Sequence, residues 1–472
     1  MKKILLSASM ALVAGSAFAV TDGQTYEVKN GLTCENVWVC DRIHDADNYT
    51  KLTIAAYGAR TCTTDGKVIY VGLSGEVGTI EKFDVATGEY LGSIALKKLN
   101  AEGAEEALTG TLCVNQVGFD DYGHFFVAPM VANSDGMATY TIYTVDLATG
   151  LMAVAAELSF DGTAGRVDYC DVTGDLTCTE APCSVIANTA INLGICWWTC
   201  EKGSTEWVGA AEGLCWLDIA ETYPADQAAF GGCSVAKFIK DGSGLLNLFY
   251  VDGMNTYPAV YANDGSLVDS FKEADLITKD ADGNVTGGKV EYHVQAANGI
   301  VEGVIGSKNI LAYAKDEYTA PQACRASIVG VDSENSFASI DPYWDIPADG
   351  LGQTSNIGHR IHCLNVIPLE ADANGKEAIN LVTFKSFNGL GVYRIAEEGY
   401  QPQGGIANTT IAKANIAVNG DVITVSEKAN IAVYNVAGQK VAEVKNATEV
   451  KAPAAGLYVV KAGNAVAKVV VK

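Results

Sequence analysis

The sequence predicts an all-β protein. Its main body reads as a six-bladed β-propeller, with seven blades the next choice and an array of β-sandwiches third; a small C-terminal β-sandwich follows. Three observations carry this. Short apolar runs such as "KVIYVGL", "HFFVAPM", "TYTIYTVDL", "LLNLFYV", "SIVGVD" and "AINLVTF" are separated by Gly, Asp and Asn turns. A unit recurs at a spacing of 62 residues, from Asp84 to Asp146. The last sixty or so residues differ in charge and composition from the rest.

The first element is a signal-peptide pattern over residues 1–19. Lys2 and Lys3 supply the positive region, Ile4–Gly15 is largely apolar, and Ala17-Phe18-Ala19 fits a small-x-small cleavage site, with mature protein expected from Val20. The first cysteine is Cys34, so no lipidated cysteine is expected at the cleavage point. No later run of about 18 apolar residues suggests a transmembrane segment.

The repeats fill residues 20–400. "TDGKVIYVGLSGEVGTIEKFDVATGEYLGSI" (Thr64–Ile94) is echoed by "DYGHFFVAPMVANSDGMATYTIYTVDLATGLMAVA" (Asp121–Ala155), each with Asp-[Val/Leu]-Ala-Thr-Gly after a strand. Weaker echoes stand near Val208, Ala262, Asp332 and Arg394. A unit of this length, built of about four strands, must bury both faces of its sheet against neighbours, which describes a propeller blade. The Asp-x-Ala-Thr-Gly segment predicts a tight hairpin whose glycine takes positive φ. "ENVWVCDRI" near the N-terminus is expected to join the last blade, since an open ring would leave an edge strand unpaired. "LKKLNAEGAEEAL" (Leu96–Leu108) is the best helical candidate and predicts an inserted loop or short helix.

Residues 401–410, "QPQGGIANTT", read as a linker. The remainder, 411–472, alternates Val and Ala in short strands around turns at Asn419-Gly420, Ala437-Gly438 and Gly456. It carries eight lysines and four acids, while the body between the signal region and this ending has 22 basic against 52 acidic residues, a net charge of −30. Such a surface repels phosphate backbones and anionic membranes, which excludes a nucleic-acid role.

The ending resembles the C-terminal sorting domain of the type IX (Por) secretion system of Bacteroidetes. The resemblance rests on "ANIAVYNVAGQKV" with Gly438, on "AGLYVVKAG" with Gly456 and Tyr458, and on the basic Val-rich finish at Lys472. Val436 stands where that family often has Leu. The resemblance implies type IX machinery as a partner, export across the outer membrane, removal of the module, and a secreted or cell-surface location. The strand-loop-Asp-x-Ala-Thr-Gly pattern of the body also resembles YVTN/NHL-type and lactonase-like propellers, a likeness that covers two blades and identifies no site.

Thirteen cysteines in an exported chain predict disulfides with at least one thiol left over; buried free thiols are the alternative. Cys196 and Cys200 of "ICWWTC" would lie roughly 13 Å apart along a strand, too far to bridge each other.

No G-x-S-x-G, Walker A or H-E-x-x-H segment occurs, and no catalytic residue is assigned. His359 and His362 point to opposite faces of a strand, a poor metal pair. His44, Asp45 and Asp47 in "DRIHDADN" are the candidate cation ligands, against a solvated acidic turn. Asp280, Asp282, Asn284 and Glu291 mimic a calcium loop but place Val285 where glycine is required, so they leave only a surface Ca²⁺ candidate. No other cofactor is expected. The candidate ligand-binding aromatics are Tyr343 and Trp344, placed on a loop by their prolines, and Trp198 from a tryptophan-rich stretch, weighed against core packing. Two functions follow: glycan or surface-protein binding through loops at one propeller face, or a secreted hydrolase or lactonase-like enzyme using carboxylates around a central channel.

Overall fold

The computed structural model describes residues 25–471 apart from 43–45, 56–57, 133–135, 162–164, 190–193, 211–216, 219–230, 241–245, 255–257, 271–277, 282–284, 288–298, 317–323, 332–342, 353–361, 403–415, 436–439, 455 and 463–464. Two compact units emerge, Met1–Gln401 and Pro402–Lys472. The signal-peptide pattern lies outside the described residues.

Among the described residues the first unit contains six antiparallel sheets of four or five strands. The first sheet runs Ala59–Thr64, Val68–Leu73, Thr79–Asp84 and Tyr90–Ala95. The second is Gln116–Phe119, Phe125–Ala128, Met137–Val145 and Met152–Asp161. The third is Val167–Gly174, Cys183–Thr189, Gly194–Cys200 and Val208–Gly209, with Leu217–Asp218 also paired to Gly194–Cys200. The fourth is Gly231–Phe238, Leu248–Met254, Ala259–Ala262 and Leu267–Ser270. The fifth is Ile300–Ile305, Lys308–Asp316, Cys324–Val331 and Trp344–Ile346.

The sixth, the closing sheet, takes three strands from one end of the unit, His362–Pro368, Ala378–Lys385 and Gly389–Glu397. Its fourth strand comes from the other end. Leu32–Asp41 pairs antiparallel with Gly389–Glu397, Leu32 opposite Glu397 and Asp41 opposite Gly389. "ENVWVCDRI" therefore occupies the edge it was expected to fill.

Among the described residues the closing, first, second and third sheets each meet an apolar cluster on both faces, and strand alternation explains how. In Ala378–Lys385, every residue of which is buried, Ile379 and Leu381 enter a cluster shared with the fifth sheet, while Val382 and Phe384 enter one shared with the first. In the second sheet Phe125 and Val127 face the first sheet, Phe126 and Ala128 the third. A fifth cluster joins third and fourth sheets through Ile186, Ile195, Phe249 and Tyr261. The apolar clusters thus lie between successive sheets.

The repeated Asp-x-Ala-Thr-Gly segment is the hairpin between third and fourth strands. Asp84 accepts from the N–H groups of Ala86 and Thr87 at 3.0 and 2.8 Å, and the Gly88 N–H donates to the Asp84 carbonyl at 2.8 Å. Asp146 repeats the pattern with Ala148 and Gly150. Gly88 and Gly150 have φ of 71° and 74°. A Cβ at Gly88 would meet the Trp38 ring at 2.9 Å, and one at Gly150 the Ala95 carbonyl oxygen at 2.1 Å. Asp264 caps the equivalent hairpin of the fourth sheet through Ser266.

Leu96–Leu108 contains no helix. It forms an exposed hairpin, Lys97–Leu99 with Glu105–Ala107, in which Lys98 stands opposite Glu106 and Lys97 reaches Glu105 at 2.7 Å. Asn100 caps the turn by accepting from Glu102 and Ala104. Opposite charges facing each other across a tight turn favour strand pairing over a helical period.

The second unit, where a compact β-sandwich is expected, is one connected five-stranded antiparallel sheet. Its strands are Ile416–Asn419, Val422–Tyr434, Lys440–Lys451, Gly456–Ala462 and Ala465–Val471. Long Val422–Tyr434 pairs with three others and shifts register between Thr424 and Ala429. Such irregularities bend a strand, so one connected sheet encloses Ile423, Ile431, Val433, Tyr458 and Val460 in one core.

Candidate functional site

The first strands of all six sheets contribute to one cavity of about 200 Å³. Thr61, Gln116, Asp171, Lys237, Ile300 and Asn365 represent the six on its wall. Polar side chains there tie one sheet to the next. Thr61 accepts from the Val117 N–H at 3.0 Å and donates to the Asn115 carbonyl at 3.2 Å. Gln116 grips the Cys170 backbone at both ends, at 2.6 and 2.8 Å. The Asp171 carboxylate accepts from the Phe238 N–H at 2.9 Å, and the Lys237 ammonium donates to the Ile300 carbonyl at 3.2 Å. Asn365 donates to the Cys62 carbonyl at 3.1 Å. At the remaining junction the first strands of the fifth and closing sheets pack against each other.

Burial pushes the Asp171 carboxyl above its ordinary range, opposed by Lys237 and Lys240. Cys170, another wall residue, has its thiol pushed up to about 12 by burial. Cys363 goes the other way. Its thiol donates to the Cys62 carbonyl at 3.0 Å, and the Asn365 amide nitrogen lies 3.4 Å from the Cys62 sulfur and 3.7 Å from its own. The neighbouring Cys62 thiol, the Lys237 charge and Asn365 hold Cys363 down to about 7, against its burial. Cys62 is pushed well up, since burial and the adjacent Cys363 both disfavour a second thiolate.

The aromatic candidates sit elsewhere. Trp344 is 5% and Trp198 3% exposed, so neither presents the accessible face expected of a ligand platform. Each indole instead fastens one sheet to its neighbour. Trp198 donates to the Ser159 carbonyl at 2.8 Å, Trp207 to Ala155 at 3.2 Å, and Trp38 to Val85 at 2.8 Å. Trp344 likewise donates to Glu27 at 2.8 Å, in the segment leading into the closing sheet. Tyr343 is half-buried, edge-on to Trp344, and its hydroxyl accepts from Asn30 at 3.1 Å. An indole is a large apolar body with one donor, which a wedge between sheets satisfies and an open loop would not.

Of the cation candidates, His44 and Asp45 lie outside the described residues, and Asp47 is exposed on the four-residue helix Ala46–Tyr49. His359, Asp282, Asn284 and Glu291 are also outside them. In the sorting segment Gly438 and Lys472 are outside the described residues too. Gly456 opens its strand, and Tyr458 is buried with its hydroxyl donating to the Ala454 carbonyl at 2.9 Å.

A cluster the sequence reading missed joins Asp120, His124 and Asp175. His124 Nδ1 is 2.8 Å from Asp120 and 3.4 Å from Asp175. Asp120 also accepts from Tyr122, His124 and Leu176 N–H groups, and Asp175 from those of Thr177, Thr179 and Glu180. With their oxygens so occupied, these carboxylates form a joint between loops of the second and third sheets.

No disulfide joins the ten cysteines whose side chains are described, Cys196 and Cys200 among them, and most of these are buried. The disulfides expected from the cysteine count are not among them; in this fold most of these cysteines act as small apolar packing residues between sheets.

The chain matches no protein-family profile and no curated protein. Among solved structures it is similar to a DUF4623 family protein from Bacteroides eggerthii at 12% identity, over 75% of this chain and 73% of that one, with a TM-score of 0.45. Saccharomyces cerevisiae Sqt1 shares 7% identity over 88% and 98%, TM-score 0.31. PorZ, a surface component of the type IX secretion system of Porphyromonas gingivalis, shares 11% over 88% of this chain and 51% of that one, TM-score 0.28. At these scores the likenesses carry no argument about this chain. No helix among the described residues is long and apolar enough to cross a membrane.

Proposed function

We propose that this chain is an exported binding protein. Its body closes as a six-bladed β-propeller, and residues 411–472 serve as a type IX sorting module that delivers it to the cell surface or medium. One observation carries the reading: the first strands of six successive sheets line a single cavity, with apolar clusters at five of the junctions between them among the described residues. A glycan or surface protein laid across the mouth of that cavity would meet loops from every sheet, the usual reason binding surfaces sit on loops held by a rigid scaffold. Binding is favoured over hydrolysis by the wall itself. Among its described residues Asp171 is the single carboxylate and no histidine is present, whereas acid–base hydrolysis calls for a converging pair.

Two measurements test this. Thermal melts of the full chain against a glycan panel and Ca²⁺ should show a ligand-dependent rise, since a ligand selective for the folded state stabilises it by mass action. No rise with any glycan, together with no recovered surface-protein partner, would remove the binding reading. Deleting residues 411–472 in a host that possesses the type IX pathway should hold the body inside the envelope; normal export of the truncated chain would remove the sorting reading.

A further inference from the structure

We propose that Cys363 and Cys62 form a thiol–disulfide exchange pair on the cavity wall, which accepts a small aliphatic disulfide and closes into a bond between residues 301 positions apart. The pair is independent of whatever binds at the mouth.

The geometry assigns the roles. The two cysteines come from the first strands of the closing and first sheets, which lie side by side. Asn365 sets one amide nitrogen within 3.4 Å of one sulfur and 3.7 Å of the other, a donor that stabilises negative charge on either. Both cysteines line the cavity, Cys363 half-buried and Cys62 only 2% exposed. Lys237 lies on the same wall and adds positive potential. A half-buried cysteine beside a positive charge, with a second, more deeply buried sulfur next to it, is the arrangement of an attacking and a resolving cysteine. Cys34 and Cys170 lie in more apolar settings without a cation or a second cysteine acting on them; burial pushes both thiols up, at Cys170 in spite of the Tyr140 hydroxyl that donates to its sulfur at 3.8 Å.

The chemistry balances with an external disulfide as the oxidant. The Cys363 thiolate attacks one sulfur of that disulfide; the old sulfur–sulfur bond breaks, one small thiolate leaves and takes a proton, and a mixed disulfide remains on Cys363. Cys62 then loses its proton and attacks the Cys363 sulfur, expelling the second small thiol. The two cysteines are oxidised by two electrons and the external disulfide is reduced to two thiols. The product bond would fasten the sheet that holds both ends of the unit to the first sheet.

The test uses the full chain and oxidised glutathione. In the unmodified sequence, non-reducing peptide mass spectrometry should find the Cys62–Cys363 cross-link, with two glutathione thiols released per chain. Cys62→Ser should halt at the mixed disulfide and carry glutathione on Cys363; Cys363→Ser should cut modification at Cys62 by about tenfold or more. Iodoacetamide labelling of the native unmodified chain is the second measurement, and does not depend on how a variant folds: Cys363 should react at least about tenfold faster than Cys34 or Cys170. A cross-link elsewhere, no adduct on Cys363 in a folded Cys62→Ser protein, or equal labelling of Cys363 and Cys34 would each overturn the proposal.

Discussion

The spaces between sheets and the wall of the cavity are built from opposite materials. Between sheets, apolar side chains alternate to both faces and the indoles of Trp38, Trp198, Trp207 and Trp344 donate across the gap. On the cavity wall, Thr61, Gln116, Asp171, Lys237 and Asn365 join the same sheets through short polar bonds. The difference separates stability from chemistry. Apolar burial scales with area and dominates the folding free energy. Where six strands line one cavity, backbone groups and small side chains crowd the wall, so its cohesion comes from hydrogen bonds worth about 1 kcal/mol each, and its polarity leaves room for a reactive thiol.

That contrast predicts an order of effects. Trp38→Ala should be the most damaging, because it empties a buried site between the closing and first sheets and removes the bond to Val85; a loss of about 3–5 kcal/mol is expected, read from the denaturant midpoint of the main body. A loss below about 1 kcal/mol would show that the closing sheet is held by something else.

Asp175→Asn comes next. Burial works to raise this carboxyl, but hydrogen bonds from Glu180, Thr177 and Thr179 outweigh it and hold the group well below its ordinary range. A depressed carboxyl contributes stability that is present above its unfolded pKa, about 3.9, and lost as pH falls through the folded value. The substitution should therefore cost about 1–3 kcal/mol at neutral pH, with the difference from the unmodified chain narrowing progressively below about pH 4. A gap that stays constant from pH 7 to pH 3 would refute the assignment.

On the cavity wall the readout changes from stability to reactivity. Asn365→Ala should cost only about 1 kcal/mol yet slow alkylation of Cys363 severalfold, since the donor shared by both sulfurs is gone. A large stability loss with unchanged reactivity would erase the distinction between wall and interface. Smallest of all, Lys97→Ala on the exposed hairpin should change stability by less than about 0.5 kcal/mol, as exposed ion pairs do, measured on the same denaturant curves.

The failed expectations have the same physical source. The segment Leu96–Leu108 reads as an inserted loop or short helix because Ala, Glu and Lys are good helix formers, yet the Asn100 turn and facing charges pair it as two short strands. Trp198 and Trp344 read as candidate ligand-binding aromatics with core packing the alternative, because sequence shows a tryptophan without showing which carbonyl its N–H will meet. Alternation puts Cys363 and Asn365 on one face of a strand, a signal that does not by itself single them out. Cys62, so far away in the chain, gave no sign of being the partner of Cys363.

Residue order alone specified the all-β class, the recurring Asp-x-Ala-Thr-Gly hairpins, the N-terminal strand that completes the last sheet, and the separate basic ending. These depend on local turn chemistry and on periods of two, which are written in adjacent residues. Only the assembled sheets decided which thiols meet, where the indoles anchor, and what lines the cavity. Those contacts join strands distant in sequence, and their energies depend on burial and on neighbours that exist only once the chain has folded.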